Sequence, residues 1–394
     1  MTVEKLKEEV CATIESMKDE LLKVSRTIHA NPELAFKETK AAALLTETVE
    51  KAGLPVERGV YGLDTAFESE FGSDQGPCVA ILAEYDCLPD IGHACGHNLI
   101  ATAALGASLS LAKLGDRLPG RIKFMGTPGE EGAGGKIIMD AEGAFTNVDA
   151  AMMIHPAGIN LATMPTLAAT GVKVIYHGRS AHAAAGPHQG INALDALVTA
   201  YQAIAQLRQH IQHSERISGI ITDGGQASNI IPDRAAGTFG VRAANKEELE
   251  VIKKKVQGCF EAGASATGAT LEANWAEASY LDLRTNWPLA HVFQHNAESL
   301  GREFIPYDMI PQSAAGSTDM GNVSYRVPSI HPLMAAAPAE CTIHNPEFTK
   351  YAGSEMGDSA AIDGAKALAM TALDYLTQAE LRQKVQEQFE AEFK

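Results

Sequence analysis

Six residues that can bind metal ions or move protons follow a short apolar run in the first quarter of the chain. The run is residues 78–83, and the residues after it are Glu84, Asp86, Asp90, His93, Cys95 and His97. A continuous run of small and β-branched residues is typical of a strand buried on both faces of a parallel sheet. Open α/β sheets bind their ligands outside the carboxyl ends of such strands. The segment therefore predicts a functional site at the end of a central strand.

Residues of the same kinds recur at other predicted strand ends. Thiolate, imidazole and carboxylate together are the ligands that zinc and similar divalent ions prefer. The further candidates are Glu130 and Glu131 after a strand at 121–127, His155 after a strand at 149–154, and His344 in a fourth segment. Two metal ions would use all of these residues together with Cys95 and His97.

Each of these residues also has an ordinary interpretation when it is taken alone. A lone cysteine such as Cys95 is commonly a buried structural thiol, and it can also be a nucleophile paired with a histidine. Glu130 and Glu131 could be solvated acids at a helix start, and single histidines are more often core or surface residues. The grouping at strand ends favours a metal site, because a nucleophilic cysteine would leave both glutamates without a role.

The elements that position these residues indicate two domains. Alternating strands and helices up to residue 155 predict a mostly parallel α/β unit. From residue 168 the predicted order becomes strand, helix, strand, strand, helix, strand, which is the ferredoxin-like order. The α/β pattern returns after residue 280. We predict a metal-binding catalytic domain from residues 1–167 and 281–394, and an inserted α+β lid and dimerisation domain at 168–280.

Apolar periodicity and breaker residues also predict individual elements. A first helix is predicted over 3–30, because apolar residues recur at helical spacing until Asn31-Pro32. A second helix is predicted over about 38–52. Runs rich in β-formers predict strands at 56–61, 65–71 and 327–335.

Composition limits the partners and the compartment. The chain of 394 residues has a formal net charge of -17, which would repel nucleic acid and anionic membranes. No apolar run approaches the about 20 residues that cross a bilayer, and the first ten residues are charged where a signal peptide is apolar. Scattered cysteines predict a reduced cytoplasmic protein. Apart from Cys95, they are interpreted as core residues: Cys11, Cys78, Cys87, Cys259 and Cys341.

Six ordered motifs carry a resemblance to a known family. They are Glu84-Tyr-Asp-Cys-Leu-Pro, His93-Ala-Cys-Gly-His-Asn, Gly129-Glu-Glu-Gly-Ala-Gly-Gly-Lys, Gly178-Arg-Ser-Ala-His-Ala-Ala, Asn229-Ile-Ile-Pro-Asp and Gly316-Ser-Thr-Asp-Met-Gly-Asn-Val-Ser. They resemble the M20 family of metallopeptidases in its amidohydrolase branch, and within it the p-aminobenzoyl-glutamate hydrolases and β-alanyl-lysine type dipeptidases. Many relatives have aspartate where Glu84 and Asn98 stand. Neither departure touches the implied ligand set, so both are expected to bear on the substrate class rather than on metal binding.

The resemblance implies a zinc-peptidase-like fold and a centre of two divalent metal ions, with zinc as the first choice and manganese or cobalt as alternatives. Glu130 would be the general base that takes a proton from water and delivers it to the leaving amine. Asp86 would orient an imidazole ligand. The implied metal ligands are Cys95, which would bridge both ions, and His97, Glu131, His155 and His344.

The resemblance also implies substrate contacts from the inserted domain. His182 would polarise the scissile carbonyl in the other subunit of a homodimer, with His177 and His188 as nearby alternatives. Asn229 and Arg242 would hold the substrate carboxylate, a task that suits a planar guanidinium. Gly316 and Ser317 are further expected substrate contacts.

The predicted function is metal-dependent hydrolysis of the amide bond between an acyl or aminoacyl group and an amino acid. The substrate would be an N-acyl amino acid or a dipeptide. Two alternatives stay open: a non-catalytic, metal-stabilised small-molecule binding protein with the same fold, and a partner subunit of a hetero-oligomeric aminobenzoyl-glutamate hydrolase. The presence of the proposed base together with every proposed ligand favours an enzyme.

Overall fold

The computed structural model describes residues 2–73, 75–310 and 315–392. The chain divides into two compact units. The first unit comprises Met1–Pro165, Leu283–Ala314 and Thr318–Lys394, and the second comprises Thr166–Asp282 with Ala315–Ser317.

The elements are numbered here in chain order. The helices of the described residues are α1 (Val3–Ser16), α2 (Lys18–Ala30), α3 (Thr39–Lys51), α4 (His97–Ala112), α5 (Gly135–Ala141), α6 (Ala193–Leu207), α7 (Lys246–Thr267), α8 (Trp287–Ser299), α9 (Met320–Ser324), α10 (Pro346–Ala352), α11 (Glu355–Thr377) and α12 (Ala379–Ala391). The strands are β1 (Glu57–Arg58), β2 (Phe67–Gly72), β3 (Cys78–Ala83), β4 (Arg121–Gly126), β5 (Ala150–Met152), β6 (His155–Ala157), β7 (Ala168–His177), β8 (Arg216–Asp223), β9 (Arg234–Ala243), β10 (Thr270–Trp275), β11 (Ser329–Ile330) and β12 (Leu333–Ala335).

The first unit is built on a six-stranded sheet with the order β1-β2-β4-β3-β5-β11. β3 pairs in parallel with β4 and β5, β5 pairs in parallel with β11, and only β1 and β2 add antiparallel pairs. Every residue of β3 is buried, because helices cover the central strands. The carboxyl ends of β3, β4 and β5 therefore meet at one edge of the sheet. This arrangement confirms the predicted mostly parallel α/β class.

The second unit is a four-stranded antiparallel sheet with two helices. Its order along the chain is β7-α6-β8-β9-α7-β10, and its order in the sheet is β10-β7-β9-β8. The sheet and helices enclose a separate core that contains Tyr176, Leu197, Phe239 and Phe260. Alternate residues of β7 are buried, which is the pattern of a sheet with one face on a core.

Some predicted elements are wrong in their extent. The helix predicted over 3–30 is two helices that meet at Met17, because apolar spacing continues across the break and cannot reveal it. The strand predicted at 327–335 is split into β11 and β12 by His331 and Pro332. Proline has no N–H to donate to a strand ladder, so β11 pairs with β5 while β12 pairs with β6. The strand predicted at 56–61 is only the two residues of β1.

The cysteines carry no disulfide bond. Cys78, Cys87 and Cys341 are buried as predicted, whereas Cys11 and Cys259 are only half-buried, so the core prediction was too broad for these two. Within the described ranges of the chain, none of the helices has the length and apolar character that a bilayer crossing needs.

Candidate metal centre

Metal-capable side chains from separate segments converge beyond the ends of β3, β4 and β5. Three groups have ligand atoms that all lie within 4.8 Å of one another. Two of the groups share Cys95 and two share His97, so the groups form one connected cluster. The groups are Cys95, His97 and His155; Cys95, Glu131 and His344; and Glu84, His97 and Glu130. The five predicted ligands and the predicted base thus lie together in the first unit.

The distances between ligand atoms fit metal binding. Sγ of Cys95 lies 3.3 Å from Nε2 of His155, and Nε2 of His344 lies 3.2 Å from Oε1 of Glu131. Two ligand atoms on one tetrahedral zinc ion are separated by roughly 3.3–3.8 Å, given bonds of roughly 2.0–2.3 Å. The imidazole, thiol and carboxylate set is also the set that zinc prefers. The residues present therefore fit a divalent metal centre.

Asp86 holds two of the predicted ligands at once. Its Oδ1 lies 2.9 Å from Nδ1 of His97, and its Oδ2 accepts the backbone N–H of Glu131 at 2.9 Å. A carboxylate at Nδ1 fixes the proton there and presents Nε2 as the metal-binding nitrogen. His97 and Glu131 are thus oriented through a single buried acid.

The electrostatics of the cluster suit a cation. Burial lowers the pKa of His155 to about 4, so this imidazole is in the neutral form that binds metals. Burial alone would raise the pKa of Glu131, but the hydrogen bond with His344 and the charge of His97 lower it to about 2. Burial raises the pKa of the Cys95 thiol well above its usual value, and a bound metal ion would displace that proton. The neutral imidazole of His155, the Glu131 carboxylate and the Cys95 thiol are therefore suited to binding cations.

Glu130 differs from its neighbour Glu131. Burial raises the pKa of Glu130 well above its usual value, and the nearby charges of Glu84 and Asp319 raise it further. Two adjacent carboxyl groups with pKa values moved in opposite directions are suited to different roles. Glu131 is suited to ligand binding, and Glu130 to proton transfer.

His344 is the most accessible member of the cluster, with 52% of its side chain exposed. Its backbone has a φ of 62°, in the left-handed region that few residues other than glycine adopt. Its N–H donates to the carbonyl oxygen of Ala94 at 2.9 Å, which ties this loop to the segment that carries Cys95. Backbone strain of this kind is common at functional sites.

The remaining predicted site residues lie in the second unit. His182 is exposed, and its Nδ1 accepts the backbone N–H groups of Ala184 and Ala185 at 3.2 and 3.1 Å. These two donors place the ring proton on Nε2, which is left to donate. The N–H of Ala183 donates to the carbonyl oxygen of Asn229 at 3.0 Å, so the segments of His182 and Asn229 are neighbours. Both side chains are exposed.

Arg242 and Ser317 are also neighbours in the second unit. Nη1 of Arg242 lies 3.4 Å from Oγ of Ser317, which donates to the carbonyl oxygen of Leu167 at 2.8 Å. The carbonyl oxygen of Gly316 accepts a hydrogen bond from the backbone N–H of the same residue, Leu167. Among the alternatives to His182, His177 lies 3.2 Å from Glu272 across the sheet, and His188 stands in a short 3-10 turn at Pro187–Gln189.

Sequence reasoning missed a buried histidine beside the centre. His331 has no exposed surface, its ring centre lies 5.5 Å from that of His155, and neither ring nitrogen has a hydrogen-bond partner among the described residues. It directly follows β11, so the strand-end argument that found the other residues also applies to it.

Lys136 and Asp319 were missed as well, and Glu84 was named among the candidates after the first strand but was given no role in the implied site. Nζ of Lys136 donates to Oε1 of Glu84 and to Oδ1 of Asp319, and all three side chains are buried. Lys136 and Asp319 are 183 positions apart in the chain. Local spacing carries no signal for a contact of that range.

Comparison with known proteins identifies the family. Residues 168–267 match the peptidase dimerisation domain model of M20 peptidases. The chain is 40% identical to the Xaa-Arg dipeptidase of Mus musculus over 400 residues, which cover 98% of this chain and 93% of the relative. The chain belongs to the M20 family of metallopeptidases. This membership confirms the predicted enzyme class, a metal-dependent hydrolase of amide bonds.

Other members of the M20 family align over similar lengths. One subunit of the p-aminobenzoyl-glutamate hydrolase of Escherichia coli is 27% identical, with 95% of this chain and 93% of that protein covered. A solved structure from Bacillus subtilis, described as a dinuclear metal-binding peptidase from the M20 family, superposes with a TM-score of 0.71 at 20% identity. It covers 92% of this chain and 99% of that chain, which shows a shared fold.

Proposed function

We propose that this M20 hydrolase cleaves dipeptides or N-acyl amino acids at a centre of two divalent metal ions and releases a free amino acid. The observation that carries the proposal is the connected cluster, in which shared members link the five predicted ligands to the buried carboxyl group of Glu130. Cys95 would bridge the two ions, because it belongs to a group with His97 and His155 and to another with Glu131 and His344. Zinc is the proposed metal, with manganese or cobalt as alternatives.

The metal ions, when bound, would polarise the scissile carbonyl and lower the pKa of water to about 7. Glu130 would take the proton from the attacking water and pass it to the leaving nitrogen. Its burial and its acidic neighbours support this role, because a carboxyl group with a raised pKa both accepts and returns a proton more readily near neutral pH. Asp86 would keep His97 in its metal-binding tautomer.

Substrate recognition would come from the second unit. The Nε2–H of His182 would donate a hydrogen bond to the scissile carbonyl, since backbone donors already occupy Nδ1. Arg242 and Asn229 would bind the substrate carboxylate, with Gly316 and Ser317 beside them. Arg242 is exposed and makes no ion pair with a described residue, so its guanidinium is available for a bidentate contact.

We propose a homodimer through the second unit, in which His182 completes the site of the other subunit. The match of residues 168–267 to a peptidase dimerisation domain supports this arrangement. A reducing compartment such as the cytoplasm is proposed as well, since all six thiols are free.

The first substrates to test are dipeptides with a basic carboxyl-terminal residue. The relative with 40% identity is named for cleavage of Xaa-Arg dipeptides, and the net charge of -17 would attract cationic substrates. The second candidate is an acyl-glutamate, on the basis of the Escherichia coli relative.

The experiment is a substrate panel on metal-reconstituted protein with detection of released amino acid. The panel contains Xaa-Arg, Xaa-Lys and Xaa-Glu dipeptides, p-aminobenzoyl-glutamate and N-acetyl amino acids, each assayed with zinc, manganese or cobalt. The matched control is Glu130→Gln protein prepared in the same way. No release from any substrate by protein that holds two ions would contradict the proposal and favour the alternative of a binding protein.

A further inference from the structure

Three charged side chains that the proposed reaction does not use are fully buried next to the metal-binding cluster. Nζ of Lys136 donates to Oε1 of Glu84 at 2.5 Å and to Oδ1 of Asp319 at 2.8 Å. The backbone N–H of Lys136 donates to Oδ2 of Asp319 at 2.9 Å. Each of these side chains has 0% relative exposure. Removing such charges from water is costly, so stability alone does not account for the triad.

The second oxygen of Glu84 faces a predicted metal ligand. Oε2 of Glu84 lies 3.4 Å from Nε2 of His97, and neither atom makes a hydrogen bond with any residue that the structure describes. Asp86 binds Nδ1 and so turns Nε2 of the ring towards the Glu84 carboxylate. A metal ion between this nitrogen and this oxygen would give both buried atoms a partner. The separation equals the roughly 3.4 Å expected for a nitrogen and an oxygen on one tetrahedral zinc ion.

We propose that Glu84 is a further ligand of the metal ion that His97 binds, and that Lys136 is the residue that positions it. The inference rests on the metal centre proposed above and adds one carboxylate to its ligand set. Of the two carboxylates grouped with His97, Glu84 is the closer, since Oε2 of Glu130 lies 4.0 Å from Nε2. Glu130 is thereby left to move protons.

Lys136 fixes the direction of the Glu84 carboxylate. It occupies Oε1, so Oε2 is the oxygen that points to His97. Asp319 in turn accepts hydrogen bonds from the backbone N–H and from Nζ of Lys136. These two bonds keep the ammonium group at Oε1 of Glu84 and away from Oε2.

The test compares metal binding by wild-type protein, Glu84→Gln, Lys136→Met and the double variant. Metal content is measured by elemental analysis after dialysis, and zinc affinity by competition with a chromophoric chelator. Each single variant is expected to bind one of its two ions about 10- to 100-fold more weakly, the usual effect of losing a residue that supports a metal site. The double variant should bind no more weakly than Glu84→Gln alone, because Lys136 acts through Glu84.

Lys123→Met is the matched control. Lys123 is another buried lysine of the first unit, and it lies 3.1 Å from Glu68 and donates to Tyr61 at 2.9 Å, away from the predicted ligands. Its replacement should leave both zinc affinities unchanged. Thermal unfolding of each metal-free variant checks that it folds. If Lys136→Met does not fold because Glu84 is left as an unpaired buried charge, the double variant, which lacks that charge, takes its place.

The outcomes separate the two proposals. Wild-type affinity for both ions in Glu84→Gln would overturn Glu84 as a ligand. Weak binding in Glu84→Gln with normal binding in Lys136→Met, or additive losses in the double variant, would overturn the positioning role of Lys136. Wild-type protein that binds fewer than two ions would instead refute the metal centre of the proposed function.

Discussion

Replacement of Asp86 by asparagine tests how far one buried carboxylate organises the metal centre. Asp86 has no exposed surface, and its two oxygens serve two different groups, Nδ1 of His97 and the N–H of Glu131, both at 2.9 Å. Asparagine has the same shape but only one acceptor oxygen, and its other terminal atom is a donor. One of the two N–H groups must therefore face an NH₂ group. Either orientation loosens a predicted metal ligand.

The size of the effect follows from the lost hydrogen bond. A hydrogen bond to a charged group contributes about 1.5–3 kcal/mol, and a factor of ten in affinity corresponds to about 1.4 kcal/mol. Asp86→Asn should therefore weaken the binding of at least one ion about 10- to 100-fold. The rate of amide hydrolysis at limiting metal concentration should fall in proportion, and excess metal should restore part of it.

Asp149→Asn is the control for this prediction. Asp149 lies before β5, and its Oδ2 accepts a single backbone hydrogen bond, from the N–H of Cys78 at 2.7 Å. The amide oxygen of asparagine can replace that one acceptor, so metal affinity should stay within about twofold of wild type. Zinc competition and elemental analysis measure both variants. Wild-type affinity for both ions in Asp86→Asn would refute the reasoning.

Further perturbations have equally specific outcomes. Glu130→Gln should keep both ions by elemental analysis but lose at least about 100-fold in kcat, since the amide cannot accept a proton; an active, metal-replete variant would place the base elsewhere. Exhaustive chelation should abolish hydrolysis and zinc, manganese or cobalt should restore it, so full activity in verified metal-free protein would contradict a metalloenzyme. Verified heterodimers of Glu130→Gln with His182→Ala should regain activity above either parent, because one site per dimer holds both groups; no gain would show that His182 does not act across the interface. Gly135→Ala should destabilise the fold, because the new Cβ would lie 1.7 Å from the carbonyl oxygen of Pro128, whereas Gly258→Ala in α7 meets no atom within 4 Å and should stabilise it by about 0.5–1 kcal/mol in thermal unfolding.

The chemical content of the site was readable from the sequence because its residues follow strands. The buried run of β3 and the residues Cys95 and His97 stand within one short segment, and Glu130 and His155 follow β4 and β5 in the same way. Parallel strands bring such ends to one edge, so local order along the chain predicts proximity in space. The alternation of strands and helices, and its change at the inserted unit, likewise predicted the fold class.

Helix and strand limits were less predictable because they depend on contacts. Apolar spacing continues through Met17, so it gives no sign that the predicted helix is divided there into α1 and α2. The split between β11 and β12 depends on which partner strands, β5 and β6, lie beside them. Apolar periodicity indicates which face of a helix or strand is buried, but it does not indicate the residue at which that helix or strand ends.

The sequence by itself determined which residues are predicted to be the ligands and the base, because they follow strands and stand in motifs that resemble those of a known family. Only the tertiary structure decided how they are held. Asp86 contacts both His97 and Glu131, and Lys136 contacts Glu84 as well as Asp319, which is 183 positions away in the chain. A hydrogen bond between distant segments depends on the direction of each side chain within the folded core, and neither composition nor spacing records that direction.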